Sequence, residues 1–290
     1  MKLVHKSVLL KEVEKYLNIK KDKWYIDCTV GLGGHTKMIL ENGGKVLGFD
    51  LDERAVKEAR KRLKSACPDA FFKIYQANFN QIGDFVRKEG IEKVDGVLFD
   101  LGVGSYHFDF NEGGFSFNSD EELDMRLDKR LKVKAKDLVN GLTKEELNEL
   151  FKKVGEEERY WAVSKAIIGA RSVKPIETSR ELADIVRVAK GKRGRLDPAT
   201  KVFMALRIVI NDEINNLIKG LKESLDILDK GGKLVVISFH SGEDRVVKHF
   251  FKDNKDRVEI LTKKPVTAGE DEVKNNPRAR SAKLRACTKK

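Results

Sequence analysis

The sequence predicts an α/β fold, a Rossmann-like doubly wound sheet with an all-helical domain inserted into it. Three observations carry this. Trp24 to Asp52 reads as strand, glycine turn, helix and strand, with Asp50 closing the second strand. That is the pattern of a nucleoside site in such sheets, where the turn lets a ligand approach the backbone and the carboxylate accepts from ribose hydroxyls. Strand and helix signals alternate as far as Asp100, stop from Leu101 to about Asp197, and resume at Lys233.

Val8 to Leu17 has the spacing of an amphipathic helix and is expected to cover the sheet. Trp24 to Ile26 is a short β-prone run that Asp27 closes. In Gly31-Leu32-Gly33-Gly34-His35-Thr36 the glycines permit positive φ. Thr36 to Asn42 predicts a short helix stopped by Gly43-Gly44, and Lys45 to Phe49 the second strand. Asp52 is placed to cap a helix over Glu53 to Ala66, with Val56, Ala59 and Leu63 on one face. Phe71 to Tyr75 is the third strand. Phe79 beyond it is either core or an adenine-stacking ring, and the residue alone favours core. Val94 to Phe99 is a fourth, buried strand, and Asp100 stands at its carboxyl end, the end that faces the ligand crevice in open sheets.

Residues 106–199 then read as the inserted helical domain, with 1–105 and 200–290 forming the core. Gly113 to Phe117 looks like a loop. Thr143-x-x-Glu146 and Thr178-x-x-Glu181 are capping boxes, and Glu157 to Ala170 a helix with Trp161 and Ile168 expected inside. Lys190, Lys192, Arg193 and Arg195 lie in a glycine-spaced basic loop, suited to RNA phosphates or to a solvated linker. Asp197-Pro198 opens a helix expected to reach Asp229 before Gly231-Gly232 stops it. Lys233 to Phe239 resumes the sheet and ends in His240. Ser241-x-x-Asp244 is read as the cap of the next helix, which carries Val246, Val247 and Phe250. Val258 to Thr262 is a further strand, and the basic tail is expected to add a last one at the edge.

The composition sets outer bounds. No apolar run approaches the ~20 residues that cross a membrane, and the start, MKLVHKSVLL, lacks the core of a signal peptide. Cys28, Cys67 and Cys287 are isolated from one another and form no CxxC, so neither a disulfide framework nor a metal site is expected, and a cytoplasmic setting is. The net charge of +12 suits a nucleic-acid partner, while 36% charged residues equally suit a heat-adapted surface. As to the cofactor, Thr36 stands where a dinucleotide turn has its third glycine. That departs from the NAD pattern and suits a ligand without a pyrophosphate, such as S-adenosylmethionine (SAM).

The order of elements is that of class I SAM-dependent methyltransferases, and the chain resembles one family of them across nearly its whole length. HKSVLLKEV, DCTVGLGGHT, FDLDERA, VDGVLFDLGV, GGFSF with LDMRLD, GEEERYW, DPATKVFMALRIVINDE, GGKLVVISFHSGEDRVVK and NPRARSAKLRA are similar to segments of the RsmH/MraW family, bacterial 16S rRNA (cytosine-N4) methyltransferases. The resemblance implies methyl transfer from SAM to N4 of a cytidine in 16S rRNA of the small ribosomal subunit. It implies SAM contacts from Gly33, Gly34 and His35, Asp50 on the ribose, Phe79 near the adenine, and Asp100 and His107 lining the pocket. His107 stands where the family usually has Gln, Gly242 where it has Leu, and Asp197 where it has His.

The chemistry asks little of the protein beyond positioning and acceptors for the N4 hydrogens, because the sulfonium is already a good leaving group and needs no metal. Asp100 could accept from N4 or only hold SAM. His240 could be an acceptor, a base or a structural histidine. Methylation at C5 would need a cysteine at the fourth-strand loop, and none is there. Two further readings stay open: an NAD-dependent oxidoreductase, and a non-enzymatic RNA-binding assembly factor on the same fold.

Overall fold

The computed structural model describes residues 6–102, 113–191 and 196–290. The chain divides into two compact units, one formed by Met1–Val103 with Ile214–Lys290 and the other by Gly104–Glu213. The second crossing thus falls after Glu213, later than the 199/200 boundary read from the sequence.

The first unit is a seven-stranded sheet. In chain order its strands are β1 (Trp24–Asp27), β2 (Lys45–Asp50), β3 (Phe72–Gln76), β4 (Val94–Asp100), β5 (Leu228–Ser238), β6 (Val258–Ile260) and β7 (Lys283–Lys289). Their spatial order is β3-β2-β1-β4-β5-β7-β6. β1 to β5 are parallel, and β7 runs antiparallel to both β5 and β6. Adjacent residues on a strand point to opposite faces, so both faces must be covered. Tyr25, Val46, Leu98 and Val235 pack on one side with helices α1 (Leu10–Leu17), α2 (Gly34–Glu41) and α3 (Glu53–Ala66). Ile26, Leu47, Val97 and Val236 pack on the other, with residues of α4 (Ile82–Lys88), Leu217, Leu221 and Leu225, and Val247 and Phe251.

The second unit is helical. It holds α5 (Ala135–Gly141), α6 (Lys144–Glu149) running into a π-turn over Leu150–Val154, α7 (Tyr160–Arg171), α8 (Ser179–Lys190) and α9 (Thr200–Ile210). Among its described residues there is no strand, only an isolated bridge between Glu122 and Thr178. Thr143 and Thr178 make the expected capping boxes. The core is built on Val139, Leu147, Phe151, Val163, Ile167, Leu182, Val186 and Leu206.

Several expectations need correction. Trp161 is 55% exposed, because the buried face of α7 is set by Val163, Ser164 and Ile167 and Trp161 falls outside it. The helix expected from Pro198 to Asp229 is broken. α9 ends at Ile210, Asp212 takes φ +49°, and α10 (Glu213–Ile227) starts anew. Asn211 fixes the break, its amide donating to Met125 O (2.8 Å) and its Oδ1 accepting from Leu127 N (2.8 Å). Gly231-Gly232 does not stop a helix. It lies inside β5, where pairing with β4 shifts between Val94 and Gly96 and Gly231 takes φ +80°. The tail strand β7 is interior, with Leu284 and Ala286 buried on one face and Cys287 on the other, and β6 forms the edge. No helix among the described residues is long and apolar enough to cross a membrane.

Glycine at 96 on β4 is a packing requirement: a Cβ there would lie 2.7 Å from the Tyr25 ring and 3.0 Å from Leu17. Both neighbours are buried, and Tyr25 is further fixed by Lys20 N donating to its hydroxyl (2.8 Å). Gly96→Ala is expected to cost about 1–3 kcal/mol through overpacking. Urea unfolding measures it, and an unchanged midpoint would contradict the packing described.

Candidate active site

Sheet order places β1 between β2 and β4, at the switch point where open α/β sheets form their crevice. Register then sets the chemistry. Asp27 at the end of β1 lies opposite Gly48 on β2 and Leu98 on β4. Asp50 and Asp100 therefore stand two residues further along, level with each other on either side. The chain leaving β1 threads between them: Cys28 N donates to Leu98 O and Val30 N to Phe49 O, each at 2.9 Å. It then turns through Gly31 (φ +52°) and Gly33 (φ +86°) into α2. Because Gly33 is the N-cap, that helix starts at Gly34, two residues before the expected Thr36. A Cβ on Gly34 would lie 1.9 Å from Ser7 Oγ, so any side chain there would have to turn the Ser7 hydroxyl aside, whereas nothing lies within 4 Å of a Cβ on Gly31.

Asp50 accepts from Gly31 N at Oδ2 (2.8 Å) and from Asp52 N at Oδ1 (3.0 Å). Burial raises its pKa to about 6, against the two N–H bonds that favour the charged form, with Asp52 and Asp27 adding repulsion. Asp100 is anchored by its own N–H donating to Thr29 Oγ1 (2.7 Å), and its Oδ2 lies 3.3 Å from His35 Nε2. His35 is buried, and neither ring nitrogen makes a well-formed hydrogen bond. Phe79 is half-buried, edge-on to Phe99 at 5.3 Å, and a Cβ on Gly220 would come within 2.8 Å of its ring.

Asp27 is a residue that the sequence reading passed over as a strand terminator. It is fully buried, accepts from Thr36 Oγ1 (2.6 Å) and from Thr29 N (3.1 Å), and has a pKa raised by burial despite the Thr36 bond. A carboxylate directly ahead of a glycine turn was the available signal.

The other expected residues fare differently. His107, Lys192, Arg193 and Arg195 lie outside the described residues. Lys190 is committed within its own unit, its ammonium paired with buried Glu157 and donating to Pro198 O (2.6 Å). His240, not Ser241, is the N-cap of α11 (Ser241–Asp253), with Glu243 rather than Asp244 completing the box. Its Nδ1 accepts from Glu243 N (3.4 Å) and its Nε2 lies 3.1 Å from Glu243 Oε1.

This crevice suits SAM. The carboxylates of Asp50 and Asp100, on either side of the turn, favour a cationic sulfonium and ammonium and oppose a pyrophosphate. Each Asp50 oxygen keeps lone-pair capacity for a ribose hydroxyl beyond the N–H bond it already accepts.

A family model described as the MraW methylase family matches residues 2–290. Among curated relatives, the Ribosomal RNA small subunit methyltransferase H of Clostridioides difficile (strain 630) is 39% identical, with all of both chains covered. The protein of that name from Hydrogenobaculum sp. (strain Y04AAS1) is 43% identical over 99% of this chain and 96% of its own. Among solved structures, SMU.1697c of Streptococcus mutans in complex with SAH superposes with a TM-score of 0.51 over 99% of this chain and all of its own. Its sequence identity is 13%, so that likeness concerns the fold.

The raised pKa of Asp50 has a consequence for stability. Stabilisation relative to the charged form is complete below the ordinary value of 3.8 and is lost as pH rises to about 6. Without ligand, Asp50→Asn should therefore gain on the wild type across that window, by at most about 3 kcal/mol. Paired denaturation curves between those pH values test it, and a constant difference would remove the desolvated carboxylate from the account.

Proposed function

Since this chain belongs to the MraW methylase family, we propose that it transfers a methyl group from SAM to the N4 amine of a cytidine in small-subunit ribosomal RNA. The observation that carries this is the crevice between β2 and β4, where the glycine turn lies between Asp50 and Asp100. When bound, SAM supplies a methyl group on a sulfonium that departs as a neutral thioether. Gly33, Gly34 and His35 hold the ligand along the turn, Asp50 takes the ribose hydroxyls, and Phe79 offers its ring to the adenine. His107, on the segment after Asp100, belongs to the same proposal.

Cytosine N4 is a weak nucleophile because its lone pair is delocalised into the ring. A carboxylate accepting from an N4–H concentrates electron density on nitrogen and receives the proton released as the N–C bond forms. Asp100 has that role here, since His240 spends Nδ1 on its helix cap and faces Glu243 with Nε2. Attack at C5 would require a thiolate. Cys28, the cysteine beside the crevice, is buried against Asp27, which together with burial holds its thiol well above its ordinary pKa. The RNA partner fits the net charge of +12, and the helical unit with Lys192, Arg193 and Arg195 is assigned to holding it. The substrate is the rRNA or the small subunit, and the setting is the cytoplasm.

Labelled methyl transfer to small subunits from a strain lacking this activity, with the product mapped by mass, is the direct test. Methylation at cytosine N4 is expected, and label at C5 or on ribose would overturn the reading. Asp100→Ala should lower kcat by on the order of a hundredfold with SAM still bound. Asp50→Ala should weaken SAM binding about tenfold or more, for loss of charge-assisted hydrogen bonds. In the wild type, SAM affinity should fall as pH drops through about 6, because a protonated Asp50 loses acceptor capacity. Calorimetry on either side of that pH reads this directly.

A further inference from the structure

Helix α7, YWAVSKAIIGAR, contains no acidic residue and buries Val163, Ser164 and Ile167. Its opposite face leaves 55% of Trp161 exposed. Lys165, exposed one turn on, makes no ion pair among the described residues, and Gly169 one turn further has nothing within 4 Å of a Cβ. Residues at i, i+4 and i+8 share a face, so an indole, a cation and an open step follow one another along it. Trp161 has no aromatic partner among the described residues, unlike Trp24, which packs edge-on to Phe71 at 5.3 Å. The start of the helix is held in place. Arg159 Nη1 donates to Lys190 O (2.6 Å) and Lys152 lies over the Tyr160 ring at 5.3 Å.

We propose that this face of α7 is a nucleobase platform, with Trp161 stacking on an unpaired base of the substrate RNA and Lys165 meeting a phosphate of the same strand. The proposal rests on the RNA-methylating reading and deepens it. Charge selects the occupant. Indole stacking on bases with a cation alongside is how proteins hold single-stranded RNA without reading sequence. A second copy of the chain would bring another net +12 towards a helix without acidic residues, so charge opposes self-association there. Stacking also exposes the base pairing edge, in keeping with a target that must leave its helix to reach an enzyme.

The test uses the full chain. With small subunits from a strain lacking the activity, Trp161→Ala should raise KM for the subunit on the order of tenfold with kcat and SAM affinity unchanged, and Trp161→Phe should restore most of the loss. Lys165→Ala should reduce the salt dependence of binding by about one phosphate contact. A second measurement leaves position 161 intact. In a Trp24→Phe background, Trp161 is the lone indole, and a short mixed-sequence single-stranded RNA should quench its fluorescence. Unchanged KM for Trp161→Ala, or no quenching, overturns the platform while leaving the methylation standing. If the wild type methylates no subunit but RNA still quenches Trp161, the enzymatic reading fails and the platform survives. A dimer that Trp161→Ala dissociates would assign the face to a second copy and overturn the proposal.

Discussion

The bond from Gly31 N to the Asp50 carboxylate ties the first turn of the sheet to the end of its second strand. A backbone N–H leaving β1 has no ladder partner, and a carboxylate at the end of β2 has lost much of its water. Each meets the need of the other. Asp52 N supplies the second donor, and the Asp52 side chain accepts from Arg54 N to start α3. One carboxylate thus fixes the turn, the strand end and the entry to the next helix. The arrangement stays incompletely satisfied, because two N–H groups do not offset the desolvation, and the pKa remains near 6. A group stabilised only in part by its own protein is suited to further donors, and a ribose offers two hydroxyls.

The same economy operates one strand over. Thr29 lies between the outer carboxylates. Its N–H goes to Asp27 and its hydroxyl oxygen accepts from Asp100 N. Thr36, on the first turn of α2, gives its hydroxyl to Asp27. The buried Asp27 therefore stitches the loop after β1 to the helix that follows it. It does so two residues short of the level of Asp50 and Asp100.

Some of this was readable in the sequence. The glycine turn, the strand-ending Asp50 and Asp100, the Asp52 cap and the two threonine capping boxes are local patterns, with spacing that determines geometry within one turn or one strand. The features that escaped are those decided by contacts between distant segments. Asp212 breaks a helix of unbroken periodicity because Asn211 answers to Met125 and Leu127 on another loop. Gly231-Gly232 reads as a stop signal, yet the pull of the β4 ladder makes it a bulge. His240 displaces Ser241 as a cap because its imidazole reaches Glu243 N, and Trp161 falls outside a core whose register is set by Val163 and Ile167. Asp27 was visible as a residue but not as a buried acceptor, since its partner Thr36 was taken for a helix start and not for a donor.

In the proposed reading, the charge distribution divides the work between the two units. The chain carries a net +12, yet the crevice of the sheet unit has Asp50 and Asp100 on strand ends either side of the glycine turn. Such a crevice repels a polyanion and attracts a sulfonium, so in the proposed reading the acidic strand ends select for the cofactor and against misplaced phosphate. Contacts to RNA phosphates must then come from elsewhere. The helical unit offers an acid-free α7, and its sequence also contains Lys192, Arg193 and Arg195. Lys190 shows that a cation in a basic run need not be available, since Glu157 and Pro198 already occupy it. What matters for a nucleic acid is the positive charge left after internal pairs are made, and on α7 that charge stands one turn from an exposed indole.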